Sequence, residues 1–319
     1  MTGPFAPASV SLRSYPHDGL DAVDTIAELR AQAALAARAG FDGVMTSEHH
    51  AGFAGYLPNP LSLAAFLLDA MPNGWAAACP LLLPLRAPAL VAEEVAWLAA
   101  RFPGRVGLGV AAGALPVDFE IAGTTMDDLT ARFASGLHTV ARLLRGDVDG
   151  PLARDAAIAR CRDHPIPILS AAASVTAARR AAANGCGLLF DSLSTAARCR
   201  ELTDAYRDAG GDQPVVLVRR CWLGEPPPGA FDRQVAVYRG YAPDAATARW
   251  GSDELAQSTD AAVVVERLVA AVRDAGADAL NLRVHVPGIE PASARAQIEA
   301  LGEAVLPRVR NALATAAAR

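Results

Sequence analysis

Residues 40–50 read Gly40-Phe41-Asp42-Gly43-Val44-Met45-Thr46-Ser47-Glu48-His49-His50. The β-rich run Gly43–Ser47 follows a long Ala-rich helical stretch, Ala22–Ala39, which Gly40 ends at the C′ position. A second helical stretch, Leu61–Ala70, comes after it. This rhythm continues in both directions. The spacing predicts strands at Ser9–Tyr15, Gly43–Ser47, Trp75–Leu82, Arg105–Ala111, Ile166–Ala171, Gly187–Phe190, Pro214–Trp222 and Ala279–His285. It predicts the remaining helices at Ala89–Arg101, about Asp127–Leu144, Val175–Asn184, Thr195–Ala209, Asp260–Ala275 and Ala292–Ala314. Eight alternations with buried-type strands argue for a parallel sheet, and eight is the number that closes a barrel. The expected fold is α/β, a TIM-like (β/α)8 barrel forming a single domain over residues 1–319. Eight such units occupy roughly 250 residues. The surplus falls in Ala112–Met126, Arg145–Pro165 and Gly224–Thr259, so the main insertions are expected after strands 4 and 7.

Composition removes several alternatives. Of 319 residues 52% are hydrophobic, enough for a large core and too many for a disordered chain. Mean hydropathy is +0.21, yet no apolar run reaches the roughly 20 residues a bilayer span requires, since Pro80 and Pro84 break the best one. The first seven residues lack a basic start and an apolar segment, so no secretory signal is expected. Cys79, Cys161, Cys186, Cys199 and Cys221 are scattered and show no metal-binding spacing. Free thiols in a reducing cytoplasm are the expectation, and no metal site. All 29 basic residues are arginines, which rules out a Schiff-base or Walker-type lysine. A net charge of −5 speaks against nucleic-acid or membrane partners.

In a barrel of this kind the chemistry sits at the C-terminal ends of the strands. That rule selects Tyr15, Ser47–His50, Cys79 and Pro80, Ala111–Gly113, Ser170–Ser174, Asp191 and Ser192, Arg219–Trp222, and His285. Ser47-Glu48-His49-His50 carries the most chemistry: two of six histidines stand beside a carboxylate that can orient an imidazole and raise its basicity. Proton transfer and a plain hydrogen-bonded loop are both open readings. Gly107-Leu108-Gly109-Val110-Ala111-Ala112 formally satisfies a dinucleotide fingerprint, but Pro116 and a polar loop intervene before the next helix. Its glycines are expected to let a ligand or helix approach the strand. Ala171-Ala172-Ala173-Ser174 ends a strand and opens a helix; it is either an anion site or an ordinary cap.

Several runs resemble the bacterial luciferase-like, flavin-dependent monooxygenases. They are Gly40–Val44 with Ser47–His50 and Pro58-Asn59-Pro60; Leu83–Pro88 with Ala92-Glu93-Glu94; Gly104–Val110; and Asp118-Phe119-Glu120 with Gly123. The resemblance is specific over about residues 9–143 and looser from Ile166 onward. It implies a TIM-like barrel, dimeric, working with reduced FMN as a co-substrate delivered by a separate, transiently bound flavin reductase. Reduced flavin and molecular oxygen would give a flavin C4a-peroxide that oxygenates a small organic substrate. His49 matches the active-site acid or base, with His50 beside it, and Glu48 matches a carboxylate next to the flavin ring. A cis peptide at the end of the third strand is expected at Cys79-Pro80, against the isoalloxazine. Ala111, Ala112 and Gly113 fall at the rim, where many relatives place a phosphate-binding Arg at the position of Ala112. Ala172, Ala173, Ser174 and Thr176 fall at the phosphate loop, and Arg132 is the candidate for the missing charge. Losing one Arg–phosphate contact should weaken flavin binding by ~1–3 kcal/mol. Ala112–Met126 and Gly224–Thr259 are the candidate lids. Two alternatives remain open: a luciferase-like partner or binding subunit without catalysis, and a deazaflavin-dependent oxidoreductase.

Overall fold

The strands alternate between barrel-facing and helix-facing side chains, and that alternation builds two apolar layers. The computed structural model describes residues 2–53, 55–240 and 254–317. In chain order the elements are β1 (Val10–Arg13), α1 (Ala22–Ala39), β2 (Gly43–Thr46), α2 (Pro60–Ala70), β3 (Trp75–Leu82), α3 (Pro88–Arg101) and β4 (Val106–Ala111). Next come α4 (Pro116–Ile121), α5 (Leu129–Leu143), α6 (Ala156–Arg160), β5 (Ile168–Ala171), α7 (Val175–Ala183), β6 (Gly187–Phe190) and α8 (Ala196–Asp208). The chain then runs through β7 (Val215–Leu223), α9 (Ala230–Arg239), β8 (Leu255–Ser258), α10 (Ala261–Ala275), β9 (Ala279–Arg283), α11 (Pro291–Ala304) and α12 (Leu306–Ala317).

All strand pairings are parallel, in the ring β1-β2-β3-β4-β5-β6-β7-β9, which closes where β9 pairs with β1. The expected (β/α)8 barrel is therefore present. β8 lies outside the ring and pairs with the overhanging end of β7, Arg220–Leu223. The insertions are where they were expected. The first holds α4, the second holds α6, and the third holds α9 and β8; residues 241–253 of the third lie outside the described part. Sequence patterning missed these four short elements. It also fused the last two helices: Pro307 has no N–H for the Glu303 carbonyl, and the axis breaks at Val305 between α11 and α12.

Most of the apolar core lies between the barrel and its helices. A smaller cluster fills the lumen, including Phe5, Met45, Trp75, Cys79, Leu169, Val216 and Val218. Phe5 comes from the segment before β1 and meets Trp75 edge-on at 5.1 Å, closing the floor of the barrel. Gly107 and Gly109 make room for lumen side chains rather than for a ligand or a helix. A Cβ on Gly107 would lie 2.7 Å from the Phe5 ring, and one on Gly109 would lie 2.1 Å from the Cys79 sulfur.

Candidate active site

The alternation along β2 decides where its C-terminal residues point. Met45 faces the lumen and Val44 the helices. Ser47 follows Met45 inward, and its Oγ accepts from the guanidinium of Arg13. Glu48 turns the other way and is buried. Its Oε2 accepts from the Leu82 amide at 2.6 Å, and its Oε1 takes Arg86 and, at 3.1 Å, His50 Nε2. Glu48 thus clamps the β2 loop to the end of β3 and orients His50. The imidazole of His49 is served by another carboxylate.

That carboxylate is Asp118 of α4, fully buried. Its Oδ2 lies 2.8 Å from His49 Nδ1, while its Oδ1 accepts the His50 amide at 2.8 Å. An ionised Asp118 can only accept, so Nδ1 carries the hydrogen and Nε2 is the basic nitrogen of His49. The His49 ring is boxed by Phe53 at 4.9 Å and Tyr56 at 4.5 Å between centroids. Tyr56 in turn packs edge-on against Tyr15 at 5.1 Å. Half-buried Tyr56 has its pKa raised, first by desolvation and then by Tyr15. Burial also pushes the Tyr15 phenol up, but Arg283 and Arg13 outweigh it, and its pKa ends below the usual tyrosine value.

The Cys79-Pro80 bond is cis, as expected. The Cys79 thiol points into the lumen, and burial raises it to about 12. Its carbonyl accepts from Arg13 at 3.0 Å, and Pro80 is half-buried at the rim. Ala111, Ala112 and Gly113 are half-buried at the end of β4, with Gly113 under the Phe119 ring. Arg132 is tied back to the loop before α5, donating to Thr124 Oγ1 at 2.7 Å and to the Thr125 carbonyl. Ala172 is half-buried, whereas Ala173, Ser174 and Thr176 are exposed. Ser174 Oγ caps α7 by accepting from Ala177 N at 3.2 Å. A cation that sequence reading passed over stands here instead: Arg198 of α8 donates to the Ala173 carbonyl at 3.0 Å.

Beside this region an open cleft, with a cavity volume of about 60 Å³, runs between the ends of β1 and β9 and helix α9, lined by Tyr15, Tyr56, Gln234, Tyr238, Arg283 and His285 among others. Tyr56 belongs to both the cleft and the His49 box, so the two share a wall. Asp118 stood inside a quoted motif, but its partner is 69 residues away in sequence. Arg220 falls within the strand-end set Arg219–Trp222, whereas Arg283 was signalled only by being a charge within a strand of buried type.

The luciferase-like monooxygenase family matches residues 3–306. The F420-dependent glucose-6-phosphate dehydrogenase of Beutenbergia cavernae is 32% identical over 180 residues, 52% of this chain and 52% of that protein. The chain thus spans about half the length of this curated relative. The monooxygenase RslO1 of Streptomyces bottropensis superposes with a TM-score of 0.77 at 21% identity, over 94% of this chain and 99% of its own. The oxygenating constituent of 3,6-diketocamphane monooxygenase of Pseudomonas putida, in complex with FMN, gives 0.73 at 20% identity, over 94% and 99%. At such identities the superpositions speak to the fold, and the neighbours are oxidoreductases. Because the family match runs through nearly every strand and helix of the barrel, the chain belongs to the luciferase-like monooxygenases.

Proposed function

We propose that this chain is the oxygenating component of a two-component, FMN-dependent monooxygenase. The observation that carries the reading is the His49–Asp118 pair, held at the C-terminal mouth by a fully buried carboxylate at 2.8 Å. The residues at the mouth fit a flat tricyclic group. Pro80, Ala111, Ala112, Ala171 and Ala172 are small or compact and half-buried, so the β3–β4–β5 edge leaves an uncrowded apolar surface. They would hold the ring system with Cys79 and Gly113 behind them. The start of α7, with Ser174 and Thr176, would receive the phosphate, assisted by Arg198. Reduced FMN, when bound, supplies the electrons that split molecular oxygen between the substrate and water.

The chain's own residues then do three things. His49 Nε2 accepts and returns a proton, and Asp118 keeps the tautomer that makes this possible. Phe53, Tyr56 and Tyr15 exclude water from the reacting atoms. α4 brings Asp118 into place, which makes Ala112–Met126 part of the active site and not a simple cover. A site without an arginine at position 112 favours a flavin that enters and leaves, as a co-substrate from a transiently docked reductase must. In this reading the protein acts on a small organic substrate, as a cytoplasmic homodimer of one-barrel subunits.

The test is anaerobic titration with photoreduced FMN, then turnover under ¹⁸O₂ with a reductase present. Saturable binding in the micromolar range and label in the product are expected. Absence of binding at high micromolar flavin would remove the proposal in favour of a non-catalytic subunit. A second reading rests on the F420-dependent relative from Beutenbergia: the same pair would take a hydroxyl proton during hydride transfer to a deazaflavin. Bleaching of F420 absorbance by an alcohol, without oxygen, would select it.

A further inference from the structure

Three arginines occupy one level of the barrel lumen. On β7, Val216 and Val218 belong to the lumen cluster and Leu217 and Cys221 to the helix-facing one, so Arg220 points inward. Arg220 is the register partner of Arg283 on β9. The β9–β1 register pairs Asn281 with Ser11 and Leu282 with Leu12, and its continuation sets Arg13 beside Arg283. All three are buried, with exposures of 4%, 6% and 4% for Arg220, Arg283 and Arg13. Among the described residues no carboxylate lies within ion-pair distance of any of them; Glu254 reaches Arg219, which faces the other way.

The three differ in what they already hold. Arg13 is spent on the framework, donating to Asn281 Oδ1 at 2.7 Å, to Ser47 and to the Cys79 carbonyl. Arg283 donates one bond, Nε to the His285 carbonyl at 3.1 Å, and lies 3.9 Å from the centre of the Tyr15 ring and 5.3 Å from that of Tyr238. Among the described residues Arg220 makes no hydrogen bond, its buried Nε has no partner, and its only ring contact is Phe231 at 5.8 Å. Burying a guanidinium without a counter-charge is costly. The cost shows on Arg220, whose pKa is pulled down to about 10 by burial and by Arg283 beside it, against a smaller upward pull from the more distant Glu254 and Asp232.

We propose that Arg220 and Arg283 form the subsite for a negatively charged group of the substrate, a carboxylate on a small apolar or aromatic body. The inference rests on the oxygenase reading for calling the ligand a substrate. Arg283 and the tyrosine-lined cleft supply the geometry: Tyr15, Tyr56 and Tyr238 touch one another and form one wall, a planar body would lie against that wall, and its anionic end would seat on Arg283 with Arg220 behind it at the same level of the lumen. Position in the ring separates this subsite from the flavin's. β9 lies four strands from β4 in either direction, so the arginines face the Ala111–Gly113 rim across the mouth. Carboxylate recognition by paired guanidinium groups is strong and geometrically selective.

Benzoate, its neutral isostere benzamide and inorganic phosphate serve as probes on the full-length protein, with calorimetry and thermal unfolding as readouts. Benzoate should bind roughly tenfold or more tightly than benzamide and raise Tm, with phosphate weaker than benzoate. Arg220→Met should abolish that preference and raise the Tm of the ligand-free protein, because it removes a buried charge without an ion-pair partner among the described residues. Arg283→Gln provides a second variant and should also remove the preference. Equal affinity for benzoate and benzamide, or no binding of either, overturns the proposal. So does a preference for phosphate over benzoate. FMN titration of the same samples keeps the two readings apart. Discrimination for benzoate without FMN binding supports the subsite and removes the flavin. FMN binding without that discrimination does the reverse.

Discussion

At the scale of single residues the site turns on which oxygen meets which nitrogen. Asp118 fixes a hydrogen on His49 Nδ1, so Asp118→Asn, whose amide can donate to that nitrogen, should invert the tautomer. We expect kcat to fall ~10²–10⁴-fold with reduced-FMN affinity little changed, measured by steady-state turnover and flavin titration. Gly109 tests packing in the same way. A methyl group there would meet the Cys79 sulfur at 2.1 Å, so Gly109→Ala should cost ~1–3 kcal/mol in urea unfolding. Adding Cys79→Ala should recover only part, because the Cys79 Cβ would still lie 2.8 Å away. Glu48, His49 and His50 could be read from sequence as a cluster of groups with proton chemistry. Which carboxylate served which imidazole could not, since that depends on α4 folding back over the mouth. Nor could the arginine level, because register and not spacing sets it.

At the scale of elements, helix ends carry the argument. α7 begins on Ser174, whose hydroxyl accepts from Ala177 N, and it is the helix proposed to receive the flavin phosphate. Ser174→Ala should cost ~0.5–2 kcal/mol of stability. It should also weaken FMN more than riboflavin, which lacks the phosphate; parallel titrations of the two flavins check this. The long elements were legible because their apolar periodicity is strong and their stops are chemical, as at Gly40 and Gly276. The short ones were not. α4 and α6 span six and five residues, too few for a helical period to register. β8 reads Leu-Ala-Gln-Ser and becomes a strand only because β7 overhangs the barrel and offers it an edge.

At the scale of the whole molecule, buried ionisable groups set the response to pH. His285 is buried at the wall of the cleft, and burial, His17 and Arg283 hold its pKa well below 6.5. The folded state therefore carries it neutral where the unfolded chain would protonate it. Stability should be flat with respect to this group above pH 6.5 and should fall below it, by up to ~1.4 kcal/mol per pH unit. Urea midpoints between pH 5 and 8 measure the slope, and His285→Gln should flatten it. The barrel itself was readable from eight repeats of one unit, since its closure follows from strand number and alternation alone.

The lumen is stoppered at its lower end by Phe5 against Trp75, so whatever precedes residue 5 emerges on the side opposite the mouth. A tether fused ahead of that plug would hold the molecule on a bead or electrode with its opening toward the bulk solution. Immobilised in this orientation, it would keep the mouth open to the reductase proposed above, whereas attachment near Arg283 would not.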